Sequence, residues 1–413
     1  MPATSVRGAD PSVAMPAPAA PPGVSRDALE AVADRVRAAH AARTPLRIVG
    51  GGTKPGGAPA TSDGAPIEVL DATVLDAPPR HEPTELVVTA AAGMRLAALE
   101  ALLAASRQRL AFEPPRLGGL GLGDRPGERG GTVGGMVAAG LAGPSRMAAG
   151  SLRDHLLGAT LVDGRGRVLR FGGRVIKNVA GYDVTRALAG SRGALGVLAE
   201  VSLKVLPAHG ATATLRFEAA QGEALARLHA WGREPLPLDA SAWWSGALLV
   251  RLSGAEAAVA AACARLGGDR VPDGDAAGFW DGLRDRTDAY FASAAGRVDA
   301  AAAAPGGRGA SAGPGLRLFR LAVPPTAPVL DLAGDTLVEW HGGQRWLLTD
   351  RSVADVRESA ARAGGHASIV RGARPGEPLD APLAPPLAAL HGRLKDAFDP
   401  HRILHPGAFG PGL

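Results

Sequence analysis

The sequence is poor in cysteine, in lysine and in long apolar runs, and each shortage excludes a class of protein. Cys263 is the single cysteine among 413 residues, so the chain alone forms no intramolecular disulfide and no all-cysteine iron–sulfur or zinc site. Only four of the 45 basic residues are lysine, and the arginines are interleaved with acidic residues rather than gathered in a stripe. Despite a formal charge of +5, we therefore predict no nucleic-acid binding.

The distribution of apolar residues bears on membranes and export. No segment approaches the roughly 18 consecutive apolar residues of a membrane span, so no transmembrane segment is predicted. Residues 1–24 are rich in proline and alanine and lack a charged stretch followed by an apolar run, which favours a disordered extension over a secretory signal. We predict a cytoplasmic protein, and peripheral attachment to the inner face of the cell membrane through partners stays open.

Several common catalytic motifs are missing. The glycines at 50–52 lack the third glycine of a dinucleotide fingerprint, because position 55 is proline. No G-K-[ST] triphosphate loop occurs, and Ser191 lacks the G-x-S-x-G context of a hydrolase. His81-Glu82 has no second histidine at the spacing of a zinc protease. These absences disfavour kinases, hydrolases and zinc enzymes, and no metal site is predicted.

The pattern of residues along the chain changes at Pro207, which suggests two main domains. We predict boundaries at 25–207, 208–380 and a tail at 381–413. In the first part, the pattern predicts helices at 25–40 and 95–106 and strands at 46–49, 67–70, 86–90, 168–171 and 197–206. The alternation over 197–206 predicts a half-buried strand that carries Glu200 and Ser202 on its polar face.

The second part contains two βαββα-like halves, which predict an α+β domain with a mainly antiparallel sheet. The first half has strands at 212–217, 240–244 and 247–252 and helices at 221–231 and 254–266. The second half has strands at 316–323, 337–340, 344–349 and 366–370, a short helix after 323 and a helix at 352–363. A low-complexity stretch at 294–315 is predicted to be a flexible insert, and a last helix covers 386–398.

Three glycine clusters stand at the ends of predicted strands in the first part, at 50–54, 130–140 and 190–197. Side-chain-free backbone lets peptide N–H groups converge on an anion and approach a flat ligand closely. The three clusters, without any triphosphate motif, predict a large phosphorylated cofactor such as a dinucleotide. Residue chemistry alone leaves the identity of that dinucleotide open.

Longer segments resemble a known family. L-R-I-V-G-G-G-T-K at 46–54, G-G-T-V-G-G-M-V-A-A-G-L-A-G-P at 130–144 and G-S-L-R-D-H-L-L-G at 150–158 resemble the PCMH-type flavin domain of the vanillyl-alcohol-oxidase superfamily. The segments at 175–207 and 398–407 complete the resemblance. E-P-P at 113–115, V-I-K-N-V-A-G-Y-D at 175–183 and the residues at 364–367 resemble most the FAD-binding E-type subunits of bacterial glycolate oxidases. The resemblance implies a two-part FAD domain, an α+β cap domain and a tail that returns to the flavin.

The resemblance also implies the residues that contact FAD. Backbone N–H groups of the first cluster and of the second cluster would hold the pyrophosphate. A third group of residues would lie against the flavin and a fourth on its far side. The last group, a loop and a strand, would lie beside the adenine and ribitol. In that order the residues are Gly50, Gly51, Gly52, Thr53 and Lys54; Gly131, Thr132, Val133, Gly134 and Gly135; Ala138, Gly140 and Gly143; Ser151, Arg153 and Asp154; and Gly190, Ser191, Gly193, Gly196 and Val197.

Two further expectations concern the flavin itself. Lys177 would place positive charge near its pyrimidine edge and favour the anionic reduced form, although a solvated loop lysine is the alternative. Some superfamily members tether FAD to a histidine in the first glycine loop, and residues 50–57 contain none. The chain is therefore predicted to hold FAD non-covalently.

Oxidation of a 2-hydroxy acid needs a base for the hydroxyl proton and a cation for the carboxylate. His366 is the candidate base, with a structural histidine as the alternative, and Arg320 or Arg345 is the candidate carboxylate clamp. His341 and His405 are weaker candidates. The tail has H-P-G at 405–407 where related catalytic dehydrogenases have N-P-G.

The H-P-G segment at 405–407 and the lack of a dense histidine and glutamate cluster in the cap both argue against independent catalysis. They favour a subunit of a complex. The predicted function is the FAD subunit of a glycolate oxidase that takes part in forming glyoxylate from glycolate. Its expected partners are a paralogous FAD subunit and an iron–sulfur subunit. The alternatives are a stand-alone D-2-hydroxy-acid (D-lactate) dehydrogenase and a non-catalytic assembly subunit. The preferred hydroxy acid, the flavin that meets it, the final acceptor and the stoichiometry stay open.

Overall fold

A computed structural model describes residues 23–53, 66–117, 131–173, 183–303, 315–374 and 376–408. The elements up to Pro207 are, in chain order, α1 (Arg26–Ala42), β1 (Leu46–Val49), β2 (Glu68–Asp71), β3 (Arg80–Glu82), β4 (Val87–Ala91), α2 (Leu96–Ala105), β5 (Gln108–Arg109), α3 (Val133–Ala139), α4 (Arg146–Ala149), α5 (Leu152–His155), β6 (Leu156–Val162), β7 (Val168–Gly172), α6 (Thr185–Leu188), β8 (Val197–Lys204) and β9 (Leu206–Pro207).

The remaining elements are β10 (Ala211–Glu218), α7 (Gln221–Trp231), β11 (Leu238–Trp244), β12 (Ala247–Gly254), α8 (Glu256–Leu266), β13 (Asp269–Arg270), α9 (Asp273–Asp285), α10 (Ala289–Ala303), β14 (Arg317–Ala322), β15 (Asp335–Glu339), β16 (Gln344–Thr349), α11 (Val353–Arg362), β17 (His366–Arg371) and α12 (Pro385–Phe398). Together they form the predicted α+β fold with antiparallel sheets. In the described part of the chain, no helix combines the length and the apolar character that crossing a membrane requires.

The described residues of the first part form three sheets, of which the smallest is the antiparallel pair of β5 and β9. Strands β1 and β2 form a parallel pair, and a five-stranded antiparallel sheet has the order β3-β4-β8-β6-β7. Strand β8 lies between two cores, because Leu198 and Val201 belong to one and Val197 and Ala199 to the other. We call this part of the chain the FAD domain.

The prediction that β8 is half-buried is wrong, because it is a central strand covered on both faces. Glu200 is 7% exposed and lies 3.9 Å from Arg80, and the Ser202 hydroxyl is 2.9 Å from that of Thr89. The position of the strand was predicted correctly, but its apolar residues divide between the two cores, with Val197 and Ala199 in one and Val201 and Leu203 in the other, and its polar side chains are covered. A single strand pattern does not reveal the second layer that covers it.

The second part, the cap, is one eight-stranded antiparallel sheet with the order β13-β10-β12-β11-β15-β16-β14-β17. Register pairs Arg320 with Trp346 and Glu339 with Gln344, so these four side chains share one face of three neighbouring strands. Helices α9 and α10 pack their aromatic residues against part of that face.

Two local predictions in the cap are wrong. The expected flexible insert at 294–315 begins inside α10, because this alanine-rich sequence favours a helix and buries Tyr290, Phe291 and Val298. Residues 304–314 of that insert lie outside the described residues. The short helix expected after residue 323 is a loop, since Pro324, Pro325 and Pro328 remove donors and restrict the backbone.

The carboxyl-terminal segment closes on the first strand. After α12, Ile403 accepts a hydrogen bond from Leu46 N at 2.7 Å, and His405 N donates to Leu46 O at 2.9 Å. The buried ammonium of Lys395 donates to Ala194 O, Asp399 Oδ2 and Leu404 O at 2.7–2.8 Å. These contacts attach the tail to the end of β1, where the first glycine cluster begins.

Candidate functional site

The first two glycine clusters meet backbone to backbone. An ideal Cβ at Gly50 would lie 2.4 Å from Thr132 Oγ1, and one at Gly51 would lie 3.1 Å from Gly131 Cα and 3.5 Å from Thr132 N. Any side chain at either glycine would therefore fill this junction. Among the described residues, the amides of Gly51 and Thr132 have no hydrogen-bond acceptor in the chain. A cleft lined by free N–H groups fits a diphosphate.

Part of the second cluster is engaged elsewhere. Val133 N donates to Met94 O at 2.9 Å and Gly134 N to Ala92 O at 2.8 Å, while Gly135 N donates to Thr132 Oγ1 at 3.2 Å as the cap of α3. The expectation that all of 131–135 offers amides to an anion does not hold for these three residues. Their donors attach α3 to the segment after β4 and leave Gly131 and Thr132 to face the first cluster.

The third cluster joins the other two. Gly190 N donates to Val137 O and Arg192 N to Ala138 O, so the loop follows the end of α3. Gly140 has a φ of +61°, and its ideal Cβ would lie 2.7 Å from Gly190 Cα. Gly193 in turn lies against His405 and Ile48. Three stretches separated by about 50 residues or more in the sequence thus gather around the end of β1.

Other residues predicted to contact FAD are packed against the protein itself. Val197 is fully buried in a core, and an ideal Cβ at Gly196 would lie 2.3 Å from Leu161. An ideal Cβ at Gly143 would lie 2.4 Å from Glu113 O, so this glycine allows close backbone packing. Protein packing accounts for these three positions without a ligand.

The segment 150–154 is organised by one capping interaction. Ser151 donates from both its amide and its hydroxyl to Asp154 Oδ2 at 2.8 Å, and these bonds hold the pKa of Asp154 below its usual value. Arg153 is exposed. Ser191 belongs to the third cluster, and Ala138 O accepts the hydrogen bond from Arg192 N of that cluster. Thr53 ends the described part of the first loop, and both Lys54 and Lys177 lie outside the described residues.

The FAD domain and the cap meet through a buried polar network that the sequence did not indicate. The Arg251 guanidinium of β12 donates to both carboxylate oxygens of Glu113 at 2.7 and 2.8 Å and to Asp239 Oδ2 at 2.6 Å. Ser145 donates from its hydroxyl to Asp239 and from its amide to Glu113. Burial raises the pKa of Asp239, but the Arg251 cation outweighs burial and holds that pKa below its usual value.

A second group at the same boundary centres on Trp340. Its indole N–H donates to Gly143 O at 3.0 Å, and its ring lies against Arg146 of α4 and Arg320 of β14. Arg320 Nε donates to Gln344, whose amide donates to Glu339 at 2.8 Å. Trp346 also donates to Glu339, yet burial raises the pKa of this carboxyl to about 7.

The three predicted catalytic residues occupy different places. Arg320 lies in the Trp340 group, at the boundary between the cap and the FAD domain. Arg345 is 2% exposed and donates to the backbone carbonyls of Gly342, Ala327 and Pro328, so its guanidinium maintains a cap loop. The structure therefore does not place Arg345 as a carboxylate clamp.

His366 is exposed at the first position of β17. Two residues further on, Ser368 donates to Asp380 at 2.8 Å, and Arg192 of the third glycine cluster donates to the same carboxylate at 2.7 Å. The strand that carries His366 is therefore connected to the FAD domain.

The two weaker histidine candidates are half-buried. His341 has a φ of 53°, and burial lowers its pKa. Nε2 of His405 lies 2.9 Å from both N and O of Ile48, and burial is the main cause of its lowered pKa. A neutral His405 therefore supports β1 beside the glycine junction.

Comparison with known proteins agrees with this arrangement. Residues 26–172 match a family of FAD binding domains. The glycolate oxidase subunit GlcE of Escherichia coli (strain K12) is 38% identical over 382 residues, which are 92% of this chain and 97% of that protein.

Two other similarities are more distant. A D-lactate dehydrogenase of Archaeoglobus fulgidus is 31% identical over 179 residues, which are 43% of this chain and 37% of that protein. An alkyldihydroxyacetonephosphate synthase structure superposes with a TM-score of 0.59 at 14% identity and covers 91% of this chain and 75% of that one. The last similarity concerns the fold alone.

Proposed function

This chain belongs to the glycolate oxidase subunit GlcE family of FAD-binding proteins, and on that premise we propose that it is the FAD-bearing subunit of a multi-subunit glycolate oxidase. The observation that carries the proposal is the meeting of three glycine stretches at the end of β1, next to a cap that holds buried arginines. The first feature suits a flavin dinucleotide, and the second suits a carboxylate substrate.

In this proposal the amides of Gly50, Gly51 and Thr132 bind the pyrophosphate, and the tail residue His405 keeps β1 in place. Backbone donors fixed by surrounding structure bind an anion without the cost of ordering a side chain. Bound FAD supplies an acceptor for the hydride that leaves the hydroxyl-bearing carbon. The chain's own part is to orient the acid and to receive the hydroxyl proton.

Two residues retain proposed roles in that step. Arg320 is the proposed carboxylate ligand, because its guanidinium lies at the boundary between the domains and only its Nε is bound, to Gln344, within the described chain. His366 is the proposed base, because it begins the strand that Asp380 and Arg192 connect to the third glycine cluster. Arg345 has no part in the proposal.

The proposal includes partners. The chain has one cysteine, so an iron–sulfur centre that takes the electrons must belong to another subunit. The name of a second relative, glycolate oxidase subunit GlcD of Bacillus subtilis, agrees with a paralogous flavin subunit, since 76 of its residues align at 38% identity. Peripheral attachment to a membrane would then be a property of the assembly.

The experiment is co-purification with the two candidate partners, followed by anaerobic titration with glycolate. We expect the purified chain to show flavin absorbance at about 450 nm. We also expect glycolate to bleach the flavin of the complex. Repeated turnover of glycolate or D-lactate by the isolated chain, without partner subunits, would instead favour the stand-alone dehydrogenase that the similarity to the Archaeoglobus fulgidus D-lactate dehydrogenase suggests. A chain that cannot be reconstituted with FAD would overturn the proposal and favour an assembly subunit.

Non-covalent attachment is tested separately. Trichloroacetic acid should release all of the yellow colour, because residues 50–57 contain no histidine and Nε2 of His405 is engaged with Ile48. Colour retained in the pellet would contradict this part of the proposal.

A further inference from the structure

Three guanidinium groups gather where the cap meets the FAD domain. Cζ of Arg146 lies 4.6 Å and Cζ of Arg320 5.3 Å from the centre of the same Trp340 ring. Cζ of Arg286, at the end of α9, lies 4.7 Å from the centre of the Trp346 ring, which stands opposite Arg320 in the sheet. The three arginines come from three different elements and two domains.

Among the residues that the structure describes, none of the three guanidiniums has a carboxylate within ion-pair distance. Within the described part of the chain, the Arg320 guanidinium makes one hydrogen bond, from Nε to Gln344, and the Arg286 guanidinium makes none although this residue is only 7% exposed. Elsewhere in the cap, buried arginines such as Arg251 and Arg317 are paired with carboxylates. Burial of an uncompensated charge such as that of Arg286 is costly, and a bound anion would supply the missing counter-charge.

The backbone that places Trp340 is strained. Trp340 and His341 are consecutive non-glycine residues with φ values of 53°, in the left-handed region that such residues rarely adopt. The hydrogen bond from the Trp340 indole to Gly143 O holds this conformation. Strain of this kind concentrates at binding and catalytic sites. Here it fixes the indole that both Arg146 and Arg320 contact.

The local charge is positive. Burial lowers the pKa of Arg286 and that of Arg320 to about 10 each, and repulsion between the two guanidiniums adds to the effect on Arg286. Both nevertheless remain cations at neutral pH. The neighbouring Glu339 offers only partial compensation, because burial raises its pKa to about 7. An anion bound among the three arginines would relieve the repulsion.

We propose that Arg146, Arg286 and Arg320 form the site at which this chain itself binds a small carboxylate of the 2-hydroxy-acid or 2-oxo-acid class. Guanidinium groups match a carboxylate with paired, charge-assisted hydrogen bonds. The inference rests on the proposed function, which gives Arg320 as a carboxylate ligand, and adds that Arg146 and Arg286 complete the site.

Oxalate is the probe, because it resembles the substrate class and cannot give up a hydride. We expect the full chain, with or without FAD, to bind one oxalate by calorimetry, with a change in tryptophan fluorescence. Arg286→Met and Arg320→Met should each weaken binding roughly 10- to 100-fold, the usual loss for a charged hydrogen-bond partner. Arg227→Met is the matched control, since this cap arginine also lies over an aromatic ring, Phe217, but is paired with Glu223. It should bind oxalate normally.

Thermal unfolding without oxalate separates a ligand-binding role from a structural one. Removal of an uncompensated buried cation should leave the melting temperature unchanged or higher, whereas loss of a structural arginine should lower it. A lower melting temperature for both variants together with unchanged oxalate affinity would overturn the inference. Equal binding of sulfate and oxalate by the wild-type chain would overturn the carboxylate class.

The two proposals fail in distinguishable ways. If the complex oxidises glycolate but substitution of the three arginines leaves oxalate affinity unchanged, this inference is wrong and the proposed function stands. If the chain takes up no FAD, the proposed function is wrong, while oxalate binding to the FAD-free chain still tests the arginines. Should Arg320→Met fail to fold, Arg286→Met and Arg146→Met give the same test.

Discussion

Arg251 in the cap and Glu113 in the FAD domain form a buried ion pair in which one guanidinium nitrogen donates to both carboxylate oxygens, at 2.7 and 2.8 Å. The residues are 138 positions apart in the sequence. Arg251 is 9% exposed and also binds Asp239, so the pair belongs to a network rather than to the solvated surface. The pair connects the cap to the FAD domain.

Arg251→Met should destabilise the protein strongly. It leaves the carboxylates of Glu113 and Asp239 without their shared cation, and breaking a buried pair on one side costs about 3 kcal/mol or more. Thermal unfolding should show a melting temperature several degrees lower. Arg216→Met is the control, because its partner Glu218 is 79% exposed and such pairs contribute little. Similar shifts in both variants would contradict the role given to the network.

Gly51→Ala should lower FAD affinity at least tenfold. The added Cβ would lie 3.1 Å from Gly131 Cα, so the two loops must separate and the amides lose their common direction. Bound flavin per chain and the dissociation constant for FAD measure the effect. Gly296→Ala in α10 is the matched control, because its Cβ meets nothing within 4 Å and alanine favours a helix by about 1 kcal/mol. Normal FAD affinity in Gly51→Ala would argue against the pyrophosphate site.

Lys395→Met should weaken both the tail and the cofactor site. The ammonium donates to Ala194 O within the third glycine cluster and to Leu404 O in the tail, and methionine replaces neither bond. We expect a lower melting temperature and faster release of FAD, followed by the fluorescence of free flavin. Arg393→Met, at an exposed position of the same helix, should change neither. An unchanged release rate in Lys395→Met would show that the tail does not support the cofactor.

Glu339→Gln should change the pH dependence of stability. The folded-state pKa of Glu339 is raised to about 7 from 4.5, mainly by burial. This group therefore favours folding fully below pH 4.5 and loses that contribution as pH rises through about 7. The glutamine variant accepts the hydrogen bonds of Trp346 and Gln344 without ionising. Its melting temperature should exceed that of the wild type increasingly from pH 5 to pH 8, and a constant difference would contradict the assignment.

The glycine clusters were predictable because their requirement is local. A position such as Gly51 must lack a side chain whatever the rest of the chain does, and that requirement is visible in the sequence. Segment order extended the prediction to the FAD domain, the cap and the returning tail. Most cap strands were also located correctly, since their apolar alternation is strong.

The arginine cluster and the network between the domains were not predictable in the same way. Arginine is the commonest basic residue here, so nothing in the sequence distinguishes Arg146 or Arg286 from the others. What distinguishes them is their position around the indoles of Trp340 and Trp346, which is a property of the folded chain. For Glu113 there was a signal, the E-P-P segment, but its partner Arg251 could be identified only from the fold.

The return of residues 403–405 to β1 sets the order of events during translation. The first glycine cluster leaves the ribosome early, yet its supporting strand is incomplete until Leu46 has paired with Ile403 and His405. At the usual pace of synthesis, the intervening 350 or so codons take on the order of tens of seconds. We therefore expect a nascent chain to retain FAD only when nearly all of it has been synthesised, and a chain truncated before Ile403 to be purified without flavin.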